Sequence, residues 1–255
     1  MKINEFLSKI NDTAAAAKLS KPFIVGGVPR DRVLGKRSGK SDIKDVDLTT
    51  GDGDSLRLAE VLHKSLPGST YRTYDDGHAS IDFRGLHVDF SSNFLSPGVE
   101  AEVKKLGVKD VDSMKLELYS RDFTMNTLLE SLDFGEIYDL TGEAVGDIQA
   151  GIIRCPIDPE ITIGTDPRRI LRAIRFAVSF GFKIDDKLKA AMLNNKNKIQ
   201  DLPVKFVQDK MNEIVRIDDD DGITMLIEYK LLPLVPLTKT ISDILIQRRQ
   251  LVKAL

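Results

Sequence analysis

The sequence predicts an α+β protein in which a mixed α/β half precedes an all-helical half. Three observations carry that expectation. Short apolar runs such as "PFIVGG" and "DVDLTT" alternate with helical stretches in the first half. From Arg121 onward helical spacing dominates, apart from short strands expected at "EIYDL" and "GIIRCP". The stretch "DPRRILRAIRFAVSFGF" carries an apolar stripe at Ile170, Ala173, Ile174 and Ala177, with Gly181 as its stop. The change of pattern sets a boundary near residue 154, dividing the chain into 1–153 and 154–255.

Taken in order, Ile3, Phe6, Leu7 and Ile10 follow helical spacing, so the N-terminus is expected to be a helix lying on the protein rather than a signal peptide. "PFIVGG" is a buried strand ending in a turn, and a helix is expected to start near Pro29. "DVDLTT" is a second strand, and "SLRLAEVLHKSL" (55–66) has helical periodicity. "HASIDF" and "LHVDF" flank Arg84-Gly85, a two-residue hairpin turn. Residues 91–113, rich in charge and containing Pro and Gly, are expected to be a mobile segment with a short helix. "PVKFVQDKMNEIVRI" and "GITMLIEYKLL" continue as helices, with the aspartate run 218–221 as a solvated turn between them.

Composition excludes several classes. Across 255 residues, 42% are hydrophobic and 30% charged, as in ordinary globular proteins. No apolar run approaches the roughly 20 residues that span a bilayer, so no membrane partner is expected and the cytoplasm is the expected compartment. A single cysteine, Cys155, and three histidines leave no disulfide framework and no zinc cluster. The net charge of −2 does not announce nucleic-acid binding, so any such contact must come from local clusters such as Arg168, Arg169, Arg172 and Arg175. "GKRSGKS" (35–41) imitates a phosphate-binding P-loop. That motif needs four residues between its glycines, and Gly35 and Gly39 enclose three.

The chemistry lies in Asp45 and Asp47. Residues i and i+2 of a strand share a face, so both carboxylates aim at one place while Val46 faces the other way. Paired carboxylates repel unless a cation sits between them, and hard divalent ions take oxygen ligands. An isolated D-x-D more often faces solvent on an edge strand. Here Gly26 and Gly27 lie between a strand and a helix start, where backbone N–H groups approach phosphate. A third carboxylate from a neighbouring strand would complete the site; Asp89 is the candidate and Asp82 its competitor.

These residues fall in motifs that resemble a known family. "GGVPRD" with "DVDLTT", then "SRDFTMNTLL", "DLTGEAVGDIQAGIIR" and "DPRRILRAIRFAVSFGF" are similar, in order, to motifs of the class II tRNA nucleotidyltransferases and bacterial poly(A) polymerases. The resemblance runs from about residue 22 to 235. It implies a polymerase-β-like nucleotidyltransferase head with a mixed sheet, followed by a helical neck and part of a body. Relatives extend further through body and tail, so this is expected to be a short form. Asp45 and Asp47 would be the metal-binding aspartates, holding two Mg²⁺ ions, with Asp89 as third catalytic carboxylate. Gly26, Gly27, Arg30 and Asp31 would bind phosphate, and Arg121, Asp122 and Asn126 would hold ribose and phosphates. Asp139, Gly142 and Asp147 match a motif tied to head–neck movement. Asp166 and Arg169 would read the incoming base, and Arg172 and Arg175 would contact triphosphate or RNA.

The base-reading expectation has a chemical basis. Asp166 and Arg169 are three apart, so they share one helix face if both are helical. A carboxylate accepts from an exocyclic amine and a guanidinium donates to a ring acceptor, a pattern that cytosine and adenine share. The ordinary alternative is a salt bridge at a helix start. Three departures from the family stand out: Pro29 before Arg30-Asp31, Thr165 before Asp166 as a potential helix cap, and Ser120 where a second Arg is frequent. The function implied is addition or repair of the tRNA 3′-CCA end from CTP and ATP. Poly(A) synthesis, CC-only or A-only addition, and a non-catalytic RNA- or nucleotide-binding module are the alternatives. The segment 91–113 is, by position, a candidate for the loop that switches C to A addition. A homo-oligomer whose second subunit holds RNA is a further expectation.

Overall fold

A computed structural model of the chain describes residues 2–36, 43–75, 77–91 and 94–254. The chain forms two compact units, Met1–Ala150 and Gly151–Leu255.

The first unit runs α1 (Ile3–Ala16), β1 (Phe23–Val25), α2 (Gly27–Val33), β2 (Asp45–Thr49), α3 (Asp54–Lys64), β3 (Thr70–Thr73), β4 (Ala79–Phe83), β5 (Leu86–Phe90), α4 (Val99–Lys105), α5 (Ser113–Tyr119), β6 (Leu129–Glu130), β7 (Ile137–Tyr138) and α6 (Ala144–Ala150). Its seven strands form one sheet in the order β3-β4-β5-β2-β1-β6-β7. All neighbours are antiparallel except β2 and β5, which are parallel. This is the mixed sheet that the sequence predicts.

One face of the sheet is apolar. Ile3, Phe6, Leu7, Ile10 and Ala14 of α1 and Leu58, Ala59 and Leu62 of α3 are buried in a core with Ile24, Val46, Leu48, Ile81, Val88 and Phe90. Strand alternation therefore turns Asp45, Asp47 and Thr49 to the opposite face. On that face a smaller cluster joins Val25, Leu118 of α5 and Leu129. The β4–β5 hairpin turns at Arg84 (φ 51°) and Gly85 (φ 78°), as its sequence suggests. Two positive φ values give the turn the hand that matches strand twist.

The short helix expected within 91–113 and the helix start expected near Pro29 are both present, and one strand is unforeseen. Residues 91–113 include α4, whose Val99 and Val103 are buried. Ser96 of the same segment is fastened to Ser120: its N–H donates to Ser120 Oγ (3.0 Å) and its hydroxyl to the Ser120 carbonyl (3.2 Å). Helix α2 begins at Gly27, with Pro29 inside its first turn, where proline is tolerated. Beyond Arg121 there is also β6, which "NTLLES" disguises as a helix. Most of "GKRSGKS" lies outside the described residues.

The second unit contains β8 (Ile152–Ile153), α7 (Pro159–Thr165), α8 (Arg168–Phe180), β9 (Lys183–Ile184), α9 (Asp186–Asn195), α10 (Val204–Ile217), α11 (Asp219–Glu228) and α12 (Lys239–Ala254). Ile170, Ala173, Ile174 and Ala177 of α8 are buried, and Gly181 ends the helix with φ 68°. The aspartate run is not a turn. Asp218 caps α11 by accepting from the Asp221 N–H (2.8 Å), and Asp219, Asp220 and Asp221 form its first turn. Acidic side chains there complement the helix dipole, which is why the run is helical. Among the described residues no helix is long and apolar enough to cross a membrane.

Candidate active site

The parallel pairing of β2 with β5 builds the site. Asp45 lies opposite His87, and Asp47 opposite Asp89. Asp45 and Asp47 are exposed and His87 and Asp89 partly so, while Val46 and Val88 are buried behind them. Four ligand-capable side chains thus stand in two rows on one face. Ligand atoms of Asp45, His87 and Asp89 all lie within 4.8 Å of one another. Hard oxygen donors from two adjacent strands are the set a divalent cation needs.

Asp47 belongs to the other side of this array. Its Oδ2 lies 3.2 Å from where a Cβ on Gly26 would be, and Arg121 Nη1 lies 3.8 Å from the same point. Gly26 has φ 79° and ψ −119°, a backbone state that side-chain-bearing residues rarely adopt. The glycine therefore leaves a space between a carboxylate and a guanidinium.

Asp82 is placed differently from Asp89. It sits on β4, in register with His87 and paired with Arg72. Its Oδ1 meets His87 Nδ1 at 2.7 Å. The His87 hydrogen bond, helped by Arg72, holds the Asp82 carboxyl below the usual carboxylate range, although desolvation opposes it. His87 Nε2 lies 3.2 Å from Asp89 Oδ1. Partial burial alone would depress the imidazole, but the Asp82 bond and the charges of Asp89 and Asp82 outweigh it and raise the pKa above its ordinary value.

Arg121 is held by Glu117, a residue buried to 2% exposure. Glu117 accepts from Arg121 Nη2 (2.8 Å), Thr49 Oγ1 (2.5 Å) and Ser91 Oγ (3.0 Å). One carboxylate thus ties the guanidinium to the end of β2 and to the residue after β5. Arg30, Asp31, Asp122 and Asn126 meet in a chain of bonds. Arg30 Nε and Nη2 donate to Asp31 Oδ1 (3.0 and 2.8 Å), and Nη1 donates to Asn126 Oδ1 (2.8 Å). Asn126 Nδ2 donates to Asp122 Oδ1 (2.9 Å), which also accepts the Phe123 N–H. Arg121-Asp122 does not start an α-helix: it follows α5 and precedes a 3-10 turn, Thr124–Asn126. Asp139 accepts from the N–H groups of Gly142 (2.9 Å) and Val145 (3.0 Å), and buried Asp147 accepts from Thr124 Oγ1 (2.7 Å).

In the helical unit Asp166 and Arg169 are not on one helix face. Asp166 is extended (φ −141°), and α8 begins two residues later. Its Oδ1 accepts the Arg168 N–H (3.0 Å) and so caps α8 from outside. Thr165 does not cap: its hydroxyl donates back to the Ile161 carbonyl (2.7 Å). The close partner of Asp166 is Arg168, through Nε (2.8 Å) and Nη2 (2.9 Å), with Arg169 Nε at 4.0 Å. Arg172 and Arg175 lie over the Phe176 ring at 5.5 and 4.5 Å, and Arg175 Nε is 3.7 Å from Glu213 Oε1.

A family model described as the poly A polymerase head domain matches residues 22–154. The chain belongs to the poly(A) polymerase head-domain family. An A-adding tRNA nucleotidyltransferase of Geobacter sulfurreducens is 34% identical over 170 residues, 64% of this chain and 18% of that one. A CCA-adding enzyme of Limosilactobacillus fermentum is 28% identical, over 82% of this chain and 48% of that one. A solved Bacillus stearothermophilus CCA-adding enzyme in complex with CTP shares the fold, with a TM-score of 0.70 and 22% identity over 96% of this chain and 57% of that one. The chain spans about half or less of the length of these two curated relatives.

Within this poly(A) polymerase-family head, sequence reasoning missed His87 and Glu117. The sequence does carry a signal for the first: His87 and Asp89 have the same i, i+2 spacing as the two aspartates opposite. Glu117 sits one turn before Arg121, a spacing that ordinarily means a solvated i, i+4 pair.

Proposed function

We propose that the chain is a template-independent RNA 3′-end nucleotidyltransferase that adds or repairs the CCA end of tRNA from CTP and ATP. The observation that carries this reading is the row of carboxylates on β2 and β5 beside the Gly26 space. Asp45 and Asp47 would hold two Mg²⁺ ions, with Asp89 rather than Asp82 as the third carboxylate, because Asp89 lies opposite Asp47 while Asp82 is paired with Arg72. Divalent ions there would supply the Lewis acidity that favours the alkoxide form of the RNA 3′-hydroxyl and offsets charge on the leaving pyrophosphate.

The chain's own residues position the reaction. The terminal 3′-oxygen bonds to the α-phosphorus of the nucleotide, and the bond to the pyrophosphate oxygen breaks. Arg121 and the backbone at Gly26 and Gly27 would hold phosphate oxygens. Arg30, Asp31, Asp122 and Asn126 brace one another around the ribose and phosphates. Asp166 and Arg169 would read the base edge, with Arg172 and Arg175 near triphosphate or RNA. The head would be 1–153, the base- and RNA-contacting helices 154–255, and the compartment cytoplasm.

The test uses Mg²⁺ and tRNA ending before CCA, after C or after CC, with nucleotides supplied singly and then together. Two C additions and one A, then a stop, are expected. A single A added only after CC would favour the second reading, A-only addition, which the 34% identity to an A-adding relative recommends. A long A ladder would make it a poly(A) polymerase, and nucleotide binding without addition would refute the enzyme.

A further inference from the structure

The position opposite Asp45 is a histidine, and its surroundings are those of a metal ligand. Nδ1 is committed to Asp82 Oδ1 at 2.7 Å, and Asp82 is in turn paired with Arg72. That arrangement fixes the ring and aims Nε2 toward Asp89. Histidine ligands are oriented by such a carboxylate on the far nitrogen, which sets the tautomer and raises the ring's basicity. One ring nitrogen of His87 shares the 4.8 Å cluster with Asp45 and Asp89, and Nε2 is the nitrogen that lies 3.2 Å from Asp89 Oδ1. Two ligands about 2.1 Å from one ion lie within roughly 4.2 Å of each other, so small side-chain rotations close the set. The competing account is electrostatic: an imidazole standing between two carboxylates as their counter-charge.

We propose that His87 Nε2 is a direct ligand in this site, beside Asp45 and Asp89, and that it tilts the site toward nitrogen-accepting divalent ions of the Mn²⁺–Co²⁺ series relative to Mg²⁺. This rests on the reading that Asp45 and Asp89 face a metal. An all-oxygen site takes Mg²⁺ readily; an imidazole adds little for Mg²⁺ and much for first-row transition ions. Asp82 and Arg72 act as positioning residues, since they touch only the ring or each other.

The experiment reads binding, not turnover. Mn²⁺ and Mg²⁺ affinities are measured by calorimetry on the full chain, and bound Mn²⁺ is examined by pulsed EPR for coupling to ¹⁴N. We expect ¹⁴N modulation in the wild type, its loss in His87→Ala, and its retention in His63→Ala and His78→Ala. Mn²⁺ affinity is expected to fall about tenfold or more in His87→Ala and about tenfold in Asp82→Asn, the range found when ligand support is removed. Mg²⁺ affinity should change less than about twofold, since imidazole contributes little to it. Mn²⁺ bound without ¹⁴N modulation, and equally well by His87→Ala, would overturn the ligand role and leave the carboxylate site intact. Mn²⁺ binding that is absent, or indifferent to Asp45→Asn, would overturn both.

Discussion

Glu117→Ala is the most informative perturbation of the site's framework. The wild-type carboxylate is 2% exposed and receives three donors, from Thr49, Ser91 and Arg121. The donors differ in how far water can replace what they lose. Thr49 is fully buried, so its hydroxyl loses its acceptor outright, at about 1–3 kcal/mol. Removing one partner of a fully buried ion pair costs about 3–5 kcal/mol, but the Arg121 side chain is 21% exposed and rehydrates in part, which reduces that share to roughly 1–2 kcal/mol. Ser91, only partly buried, adds little. The sum is about 2–5 kcal/mol. Glu117→Gln keeps the volume and one acceptor oxygen and should cost about half as much.

The chain contains no tryptophan, so unfolding in urea would be followed by far-UV circular dichroism. The reasoning also makes a kinetic demand. If Glu117 holds Arg121 beside the Gly26 space, Glu117→Gln should lower kcat/KM for nucleotide by about tenfold or more, because small misplacements of a charged clamp are costly. A loss below about 1 kcal/mol in Glu117→Ala would refute the buried-clamp argument. Unchanged kcat/KM in Glu117→Gln would show that Arg121 needs no such support.

Further outcomes follow from other residues. Gly26→Ala should lose about 1–3 kcal/mol from its backbone state and also lose nucleotide addition, because the new Cβ would press on Asp47 Oδ2. Gly68→Ala, at a similar φ with nothing within 4 Å, should lose stability alone; equal activity loss in both variants would refute the contact argument. Asp52 should make stability depend on acid. Partial burial opposes its ionisation, but the Ser20 and Thr50 hydroxyls and the Asp54 N–H outweigh it and hold the carboxyl below its ordinary value. A depressed folded pKa gives stability that is present above about pH 4 and is lost as pH falls through the folded value. Asp52→Asn should therefore be less stable at pH 7, with the gap to wild type closing below about pH 4 in urea titrations. Asp166→Asn should keep the α8 cap yet weaken preference for C and A over U and G; unchanged preference in single-nucleotide assays would refute base reading by Asp166.

The sequence made local geometry legible and left long-range register hidden. Asp45 and Asp47 could be placed on one face because strand alternation is a local rule, and the Arg84-Gly85 hairpin because turn backbone is local too. That Asp45 meets His87, and Asp47 meets Asp89, depends on a parallel pairing of strands separated by α3 and two further strands. No local pattern specifies that pairing, so His87 looked like one scattered histidine. Burial was hidden for the same reason. Glu117 has the spacing of a surface pair, and only the fold puts Thr49 and Ser91 against it. Glu130, fully buried and paired with Arg32, is another charge whose burial its spacing does not reveal.

The helical unit shows where a spacing argument stops. Asp166 and Arg169 are three apart, and three apart means one face only when both residues are helical. Pro167 disfavours helical backbone at the residue before it, so Asp166 is extended and the helix starts after it. The consequence is chemical. Three of the Asp166 carboxylate's acceptor sites are already used, one by the Arg168 N–H and two by the Arg168 guanidinium, before any base arrives. The backbone bond is structural and can stay. The guanidinium is 57% exposed, so its release to water costs little. Base reading by Asp166 therefore requires Arg168 to swing away while Arg169, 8% exposed and anchored to the Thr162 carbonyl, remains in place. Arg168→Ala removes the competitor and should preserve or sharpen the preference for C and A. If it abolishes that preference while Arg169→Ala does not, then Arg168 is the guanidinium that reads the base.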